Sequence, residues 1–569
     1  MKPQISKIIK EALEKFPQKV KISLEEIQSL IEIPPTYDMG DFAFPCFSLA
    51  KQLKMSPQEI ALELRSKIKS KKEFSEIQTQ GPYLNFFIDR KKLATDLILQ
   101  IKKQGDKFGK VKLEKPIKTM IEFVSPNTNK PLHIGHLRNM SIGESLSRIS
   151  EFNGEKIIRA NLNNDRGIHI CKSMAAYKLF GKNKSPGKIK SDHFVGNFYS
   201  MFGKKEKTNV KLELESHRML QRWEEGDKET IKLWNKMNKW AFEGWKKTFK
   251  KFDIKFDEEY YESKIYTKGR DIILKGFEDK LFEKKKEGAI FINLEKEKLG
   301  EKILLRSNGT SVYITQDIYL AKFKFDKFKL NKSYYITGKE QDYHFNVLFS
   351  ILEKLGLSHE GLKHISYGNI FLPGWKKIKS REGTEGIKAD EILENIQNLA
   401  KKELRKRDKT SKKILEERSL KIALAAIKYS MLKIDVKKDT IFDPKKSLSF
   451  EGNTGPYLQY SYARASSILK KIKTRKKQYA IGDFEQKEIE LIKKLSEFSQ
   501  VVLKSYSHLN PSLIANYSYQ LAQIFNEFYH ACPVIKSNKT EFRLRLVESF
   551  KQVLKNSLHL LGIEVLERM

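Results

Sequence analysis

Cysteine is scarce: Cys46, Cys171 and Cys532 are the three among 569 residues. They are odd in number, far apart and without C-x-x-C spacing, which argues against a disulfide framework and a zinc knuckle. Long apolar runs are lacking as well, so no transmembrane helix is expected. The N-terminal stretch Met1 to Phe16 lacks the build of a signal peptide. Lys2, Lys7, Lys10 and Lys15 are set among Ile5, Ile8, Ile9, Leu13 and Phe16, an amphipathic helix pattern. A soluble protein of a reducing cytoplasm, with no membrane partner, is expected. Acidic residues are the other shortage: 71 Asp and Glu face 109 Lys and Arg, a formal charge of +38. That sign attracts a polyanion, either nucleic acid or an anionic membrane surface. Lysine is spread through the whole chain, however, and a lysine-rich source proteome would give the same excess.

What is present is enough for ordinary cores, with 40% hydrophobic and 11% aromatic residues. The length is too great for one core and suggests roughly three or four domains. Residues 1–110 read as a small α+β unit, with helical periodicity at 2–16, 56–70 and 91–103, a loop from Pro34 to Pro45, and a strand Tyr83 to Ile88 behind Gly81-Pro82. A charged linker follows. From 111 to 390 the pattern is strand (Met120 to Val124), helix (136–152), a stop at Asn153-Gly154, and strand (Lys156 to Ala160), a β-α-β unit that implies a parallel sheet. Residues 185–300 are highly charged, with helical stretches such as Leu212 to Phe252, and read as insertions. Strand signals return at Ser311 to Thr315 and Ser333 to Thr337. From 391 to 569 every segment shows three-to-four-residue apolar spacing, as in an all-helical bundle.

The most informative segment runs from Ser125-Pro126-Asn127 through Lys130-Pro131-Leu132-His133-Ile134-Gly135-His136-Leu137-Arg138-Asn139. It falls where a strand ends and a helix begins, the place where open α/β sheets bind nucleotides. Gly135 has no side chain to obstruct a ligand at the helix N-terminus, whose N–H groups attract anions. His133 and His136 could donate to phosphate oxygens that gain charge in a reaction; two capping or surface histidines would look the same in isolation.

This string resembles the HIGH signature of class I aminoacyl-tRNA synthetases, and its Ser-Pro-Asn and Lys-Pro-Leu context is similar to the arginyl-tRNA synthetase family. The second class I signature, KMSKS, is matched in the right order by Lys377-Ile378-Lys379-Ser380-Arg381-Glu382-Gly383-Thr384. Ile378, Lys379 and Arg381 depart from the pattern. The resemblance implies a Rossmann-like α/β catalytic domain between an N-terminal α+β domain that contacts tRNA and a C-terminal all-α anticodon-binding bundle. It implies ATP with Mg²⁺ as substrate, without zinc or an organic cofactor. L-arginine and tRNA(Arg) are the implied partners, tRNA is needed for activation, and a monomer is expected. On this reading His133, Gly135 and His136 hold the triphosphate from one side. Lys377, Lys379, Ser380 and Arg381 hold it from the other.

For the amino acid, Ser311-Val312-Tyr313-Ile314-Thr315-Gln316-Asp317 resembles the family's Y-x-x-x-D element, and Gly338-Lys339-Glu340-Gln341-Asp342-Tyr343-His344-Phe345 its G-x-x-Q-x-x-H-F element. Carried over, Tyr313, Asp317 and Gln341 contact arginine, with Asp317 the leading guanidinium partner. Ser125 and Asn127 hold its amino and carboxylate end, His136 is a further arginine contact, and Glu122 offers a further acceptor. Asn163-Asn164-Asp165-Arg166-Gly167-Ile168-His169 departs from the family's G-D-W-G-T-Q, so only Asp165 and Gly167 are assigned, as pocket wall. In the helical region Thr454-Gly455-Pro456-Tyr457-Leu458-Gln459-Tyr460 with Ala463-Arg464, and Phe525-Asn526-Glu527-Phe528-Tyr529, resemble the anticodon-binding part. Tyr457, Gln459, Arg464 and Tyr529 are the tRNA contacts expected there. Two competing readings are a class I enzyme for another amino acid, against which Tyr313 and Asp317 argue, and a non-catalytic tRNA-binding paralogue.

Overall fold

A computed structural model describes every residue except 1, 37–38, 70–72, 112–114, 207–208, 358, 374–375, 378–386, 408–410 and 473–481. The chain forms two compact units, Met1–Gly105 with Lys476–Ser496 and Ala531–Ser549, and Asp106–Arg475 with Glu497–His530 and Phe550–Met569.

In the first unit the amphipathic N-terminus is the helix Lys2–Leu13, whose Ile5, Ile8, Ile9 and Leu13 are buried, and Phe16 just beyond it joins the same core. The helix Pro57–Lys67 begins at a reciprocal cap between Ser56 and Glu59, with Pro57 in its first turn, where a missing N–H costs nothing. The strands Phe42–Pro45, Tyr83–Ile88 and Phe74–Gln80 pair antiparallel in that order. The expected loop from Pro34 to Pro45 therefore closes as a strand, because Phe44 enters the same core as Phe86.

The second unit is built on five parallel strands: β1 (Lys118–Glu122), β2 (Lys156–Asn163), β3 (Glu258–Tyr261), β4 (Lys332–Gly338) and β5 (Leu362–Tyr367), in the order β5-β4-β1-β2-β3. The chain moves outward from β1 to β3 on one side and from β4 to β5 on the other. Strand order thus reverses beside β1, which opens a crevice at the carboxyl ends of β1 and β4. The crossover helix Ile134–Phe152 is buried nearly all round. A Cβ at its Gly143 would lie 2.4 Å from the ring of Phe123, so glycine lets helix and sheet approach.

Two expectations are corrected here. Residues 185–300 are more than appended insertions: after the helices Ser191–Lys205, Val210–Glu224 and Lys228–Phe252 the chain supplies the edge strand β3. Ser311 to Thr315 is not a strand. Val312 is the extended N-cap of the helix Tyr313–Phe328, in which Ile314, Ile318 and Ala321 enter one core on helical spacing. After Ala389 the chain is helical in Ala389–Arg407, Lys412–Leu432, Gly455–Lys470, Gln486–Ser496, Phe498–His508, Ser512–Ala531 and Thr540–Leu560.

Candidate active site

Immediately after β1 the backbone is strained. Val124 and Ser125 have φ of 76° and 43°, and a β-branched residue in the left-handed region costs about 1–3 kcal/mol. Asparagines hold the turn. Asn139 Oδ1 accepts from the Val124 N–H at 2.6 Å while its Nδ2 donates to the Ile336 carbonyl of β4 at 2.8 Å. Asn161 Oδ1 accepts from the Ser125 N–H at 3.1 Å, and Asn164 Nδ2 donates to the Ser125 carbonyl at 3.0 Å. Ser125 and Asn127 are thereby set over the crevice, with Asn127 exposed.

His133 is the N-cap of the helix Ile134–Phe152, and its Nδ1 accepts from the Gly135 N–H at 3.1 Å. The His136 Nδ1 accepts from the His133 N–H at 3.0 Å. With both Nδ1 atoms accepting, each neutral ring carries its proton on Nε2. Burial, reinforced by Lys130, lowers the His133 pKa to about 3, and burial with His133 and Lys130 nearby holds His136 well below its usual value. The pair is therefore neutral and presents N–H dipoles. A Cβ at Gly135 would lie 2.9 Å from His133 Cε1, so the glycine makes room first for the folded-over imidazole.

Around the other mouth of the crevice stand the acidic groups. Asp317, one turn into the helix Tyr313–Phe328, receives a 2.7 Å hydrogen bond from His344 Nε2, a residue of the G-x-x-Q-x-x-H-F element to which the sequence assigned no role. Tyr313 and Gln341 are exposed beside these two elements, and Tyr313 begins a helix instead of lying within a strand. Glu122 at the end of β1 is buried and receives the ammonium of the fully buried Lys324 on one oxygen, so only its other oxygen is available to a ligand.

Sequence reasoning missed Glu262, the residue after β3. Burial raises its carboxyl pKa to about 7, Asp165 and Asp317 push it the same way, and Arg166 opposes them. Asp165, assigned to the pocket wall, is buried and accepts from the Ser263 N–H at 2.8 Å and the Ser263 hydroxyl at 2.7 Å, which fixes the turn carrying Glu262. Gly167 has a φ of 99° and caps the next helix. Arg166 pairs with Glu224 at 2.8 Å and stacks on Tyr266, 4.0 Å from the ring centre. A raised carboxyl pKa near a second carboxylate was the signal, but it exists only once the edge strand is in place.

Of the second signature, Lys377 lies on the short strand Lys376–Lys377, paired antiparallel with Ile370–Leu372. Lys379, Ser380 and Arg381 lie outside the described residues. Beyond them the chain returns to the histidine turn: the Ile134 N–H donates to the Ile387 carbonyl at 3.2 Å, and Lys388 bridges His133. Next comes Asp390, buried and bonded to Lys190 at 2.8 Å and His193 at 3.2 Å.

In the helical region Arg464 donates to Asn526 Oδ1 at 2.6 Å and its guanidinium lies over the rings of Tyr460 and Tyr529, at 4.9 and 5.4 Å. The Tyr457 hydroxyl accepts from Asn526 at 2.9 Å. Tyr457, Tyr460, Arg464 and Asn526 edge an open cavity of about 310 Å³, and Tyr529 is not in its lining. Gln459 does not join them: it is fully buried and donates to the Glu564 carbonyl at 2.7 Å, an internal tie that corrects its assignment as a tRNA contact.

A parallel sheet with the two-histidine turn at its switch point, followed by a helical region, is the arrangement of class I aminoacyl-tRNA synthetases. The family model described as "tRNA synthetases class I (R), catalytic domain" matches residues 97–444, the arginyl tRNA synthetase N-terminal domain matches 3–88, and the DALR anticodon binding domain matches 458–569. The chain belongs to the arginyl-tRNA synthetase family. An arginine–tRNA ligase of Treponema denticola is 42% identical over 572 residues, covering 96% of each chain. One of Borrelia hermsii is 41% identical over 586 residues, covering 100% of this chain and 99% of the relative. The solved arginyl-tRNA synthetase of Thermus thermophilus superposes with a TM-score of 0.81 at 26% identity, over 100% of both chains.

Proposed function

We propose that this chain is an arginine–tRNA ligase: it joins L-arginine to ATP as arginyl-adenylate with release of pyrophosphate, then transfers the arginyl group to the 3′-terminal adenosine of tRNA(Arg). The arginine carboxylate attacks the α-phosphorus in line, and charge grows on the non-bridging and leaving oxygens. His133 and His136 meet that charge through Nε2–H, and Gly135 opens the backbone beside them. Lys377, Lys379, Ser380 and Arg381 take the pyrophosphate side, and Mg²⁺ enters with the triphosphate. Ser125, Asn127 and His136 hold the amino and carboxylate end of arginine, with Glu122 contributing through the oxygen that Lys324 does not take. Tyr313, Asp317, Gln341 and Glu262 surround the guanidinium, a planar cation that calls for fixed acceptors. Residues 1–110 and 391–569 engage tRNA, the latter with Tyr457, Arg464 and Tyr529, where an exposed base can stack. The chain works as a cytoplasmic monomer.

The observation that carries the arginine reading is the pair of carboxylates Asp317 and Glu262: the Asp317 charge adds to burial in raising the Glu262 pKa. ATP–pyrophosphate exchange with each of the twenty amino acids, with and without tRNA, tests it. Exchange with arginine alone is expected, in the presence of tRNA. Another amino acid driving exchange would sink the specificity, and binding of tRNA without any exchange would favour a non-catalytic paralogue. Lys377→Ala should lower exchange by roughly 100-fold with tRNA affinity unchanged; a matching loss of tRNA affinity would place the lysine on RNA instead.

A further inference from the structure

Arg138, one turn beyond His133, is fully buried, and among the described residues no carboxylate lies within ion-pair distance of its guanidinium. Its Nη1 donates to the carbonyls of Gly368 at 2.9 Å and Asn369 at 3.4 Å. Its Nη2 donates to those of Asp435, Val436 and Lys438 at 3.2, 3.1 and 2.8 Å. Burial lowers its pKa to about 10, still well above neutrality. Gly368 and Asn369 join β5 to the strand Ile370–Leu372, against which Lys376–Lys377 is paired. Residues 435–438 lead into the strand Thr440–Ile441, which lies parallel to Ile370–Leu372 on its other side.

Backbone bonds close the same junction. The Gly368 N–H donates to the Val436 carbonyl at 3.0 Å, and the Thr440 N–H to the Asn369 carbonyl at 2.9 Å. Asp439 accepts from the Asn369 N–H at 2.7 Å and from Lys339, at the end of β4, at 3.2 Å. The fit is tight: a Cβ on Gly368 would fall 2.4 Å from the Lys438 carbonyl.

A leucine or methionine would fill the same volume with no charge to bury, but it would leave the Gly368 and Lys438 carbonyls without this donor. What only a guanidinium supplies is a rigid planar fork that holds several acceptors in fixed directions. We propose that Arg138 is a positioning residue for adenylate formation: from the helix of the histidine turn it fixes the strand pair that carries Lys377, setting the two phosphate-binding signatures in one frame. This rests on the reading of Lys377 as a phosphate group given above.

The test is Arg138→Lys in the full chain, which keeps the charge and loses the fork. ATP–pyrophosphate exchange should fall roughly 100-fold in kcat, the scale of a small misplacement of reacting groups. The KM for pyrophosphate should rise, while the KM for arginine and the affinity for tRNA stay those of the unaltered protein. Labelling of Lys377 by periodate-oxidised ATP, located by mass spectrometry, should drop with it. A folded Arg138→Lys protein with unaltered exchange overturns the proposal, and so does a loss that raises the arginine KM equally, which marks general loosening. If Arg138→Lys does not fold, Gly368→Ala carries the test by wedging the junction with Arg138 intact; a folded, fully active Gly368→Ala protein overturns the proposal. Failure of the unaltered chain to exchange with arginine would count against the enzymatic reading itself.

Discussion

His133 and His136 commit their Nδ1 lone pairs to N–H groups of the helix they introduce, which leaves Nε2–H as the donor each ring can offer to a phosphate. Neither ring should titrate near neutrality, since burial depresses both. The group that should titrate is Glu262, raised to about 7 by burial and its acidic neighbours. A guanidinium stabilises the carboxylate form, so binding draws the pKa down and expels a proton. Arginine affinity should therefore rise with pH up to about 7 and then level off. Calorimetry in buffers of different ionisation enthalpy should register proton release below that pH, and Glu262→Gln should abolish the release. Proton uptake on binding would contradict the assignment. The histidine turn was legible because its chemistry is written in one contiguous string. Glu262 was not, because Asp165, Asp317 and Arg166 reach it from distant parts of the chain only when β3 takes its place at the sheet edge.

Elements follow local pattern until tertiary packing overrides it. The crossover helix and its flanking strands emerged where apolar periodicity and the Asn153-Gly154 stop put them, and the helices beyond 389 did so too. Ser311 to Thr315 departs from the strand reading: its β-branched and aromatic residues favour a strand locally, but Ile314 and Ile318 find their core only at helical spacing. Gln459 departs from its motif reading for a related reason: its amide nitrogen donates to the Lys421 and Glu564 carbonyls, an internal tie of the helical region. The contact of Gly143 with Phe123 is a test of how closely helix and sheet must meet. Gly143→Ala should destabilise the protein by about 1–3 kcal/mol, the usual cost of overpacking, read as an earlier urea midpoint. An unchanged midpoint would show that the sheet can retreat.

For the whole molecule the charge of +38 is the property sequence alone leaves ambiguous. If the excess serves tRNA, log affinity should fall linearly with log salt, with a slope of about 0.7 to 0.9 per phosphate neutralised, measurable by filter binding. A flat response would assign the lysines to general solubility. The return of the chain to the histidine turn at Ile387 and Lys388 has a consequence at this scale. Only residues 378–386 separate that anchor from Lys377. Covalent continuity alone therefore keeps Lys377 within about 35 Å of the Ile387 carbonyl that holds the turn. Through that link the histidine turn and the strand of Lys377 are held to one another by the chain itself, whereas arginine, ATP and tRNA must each arrive by diffusion.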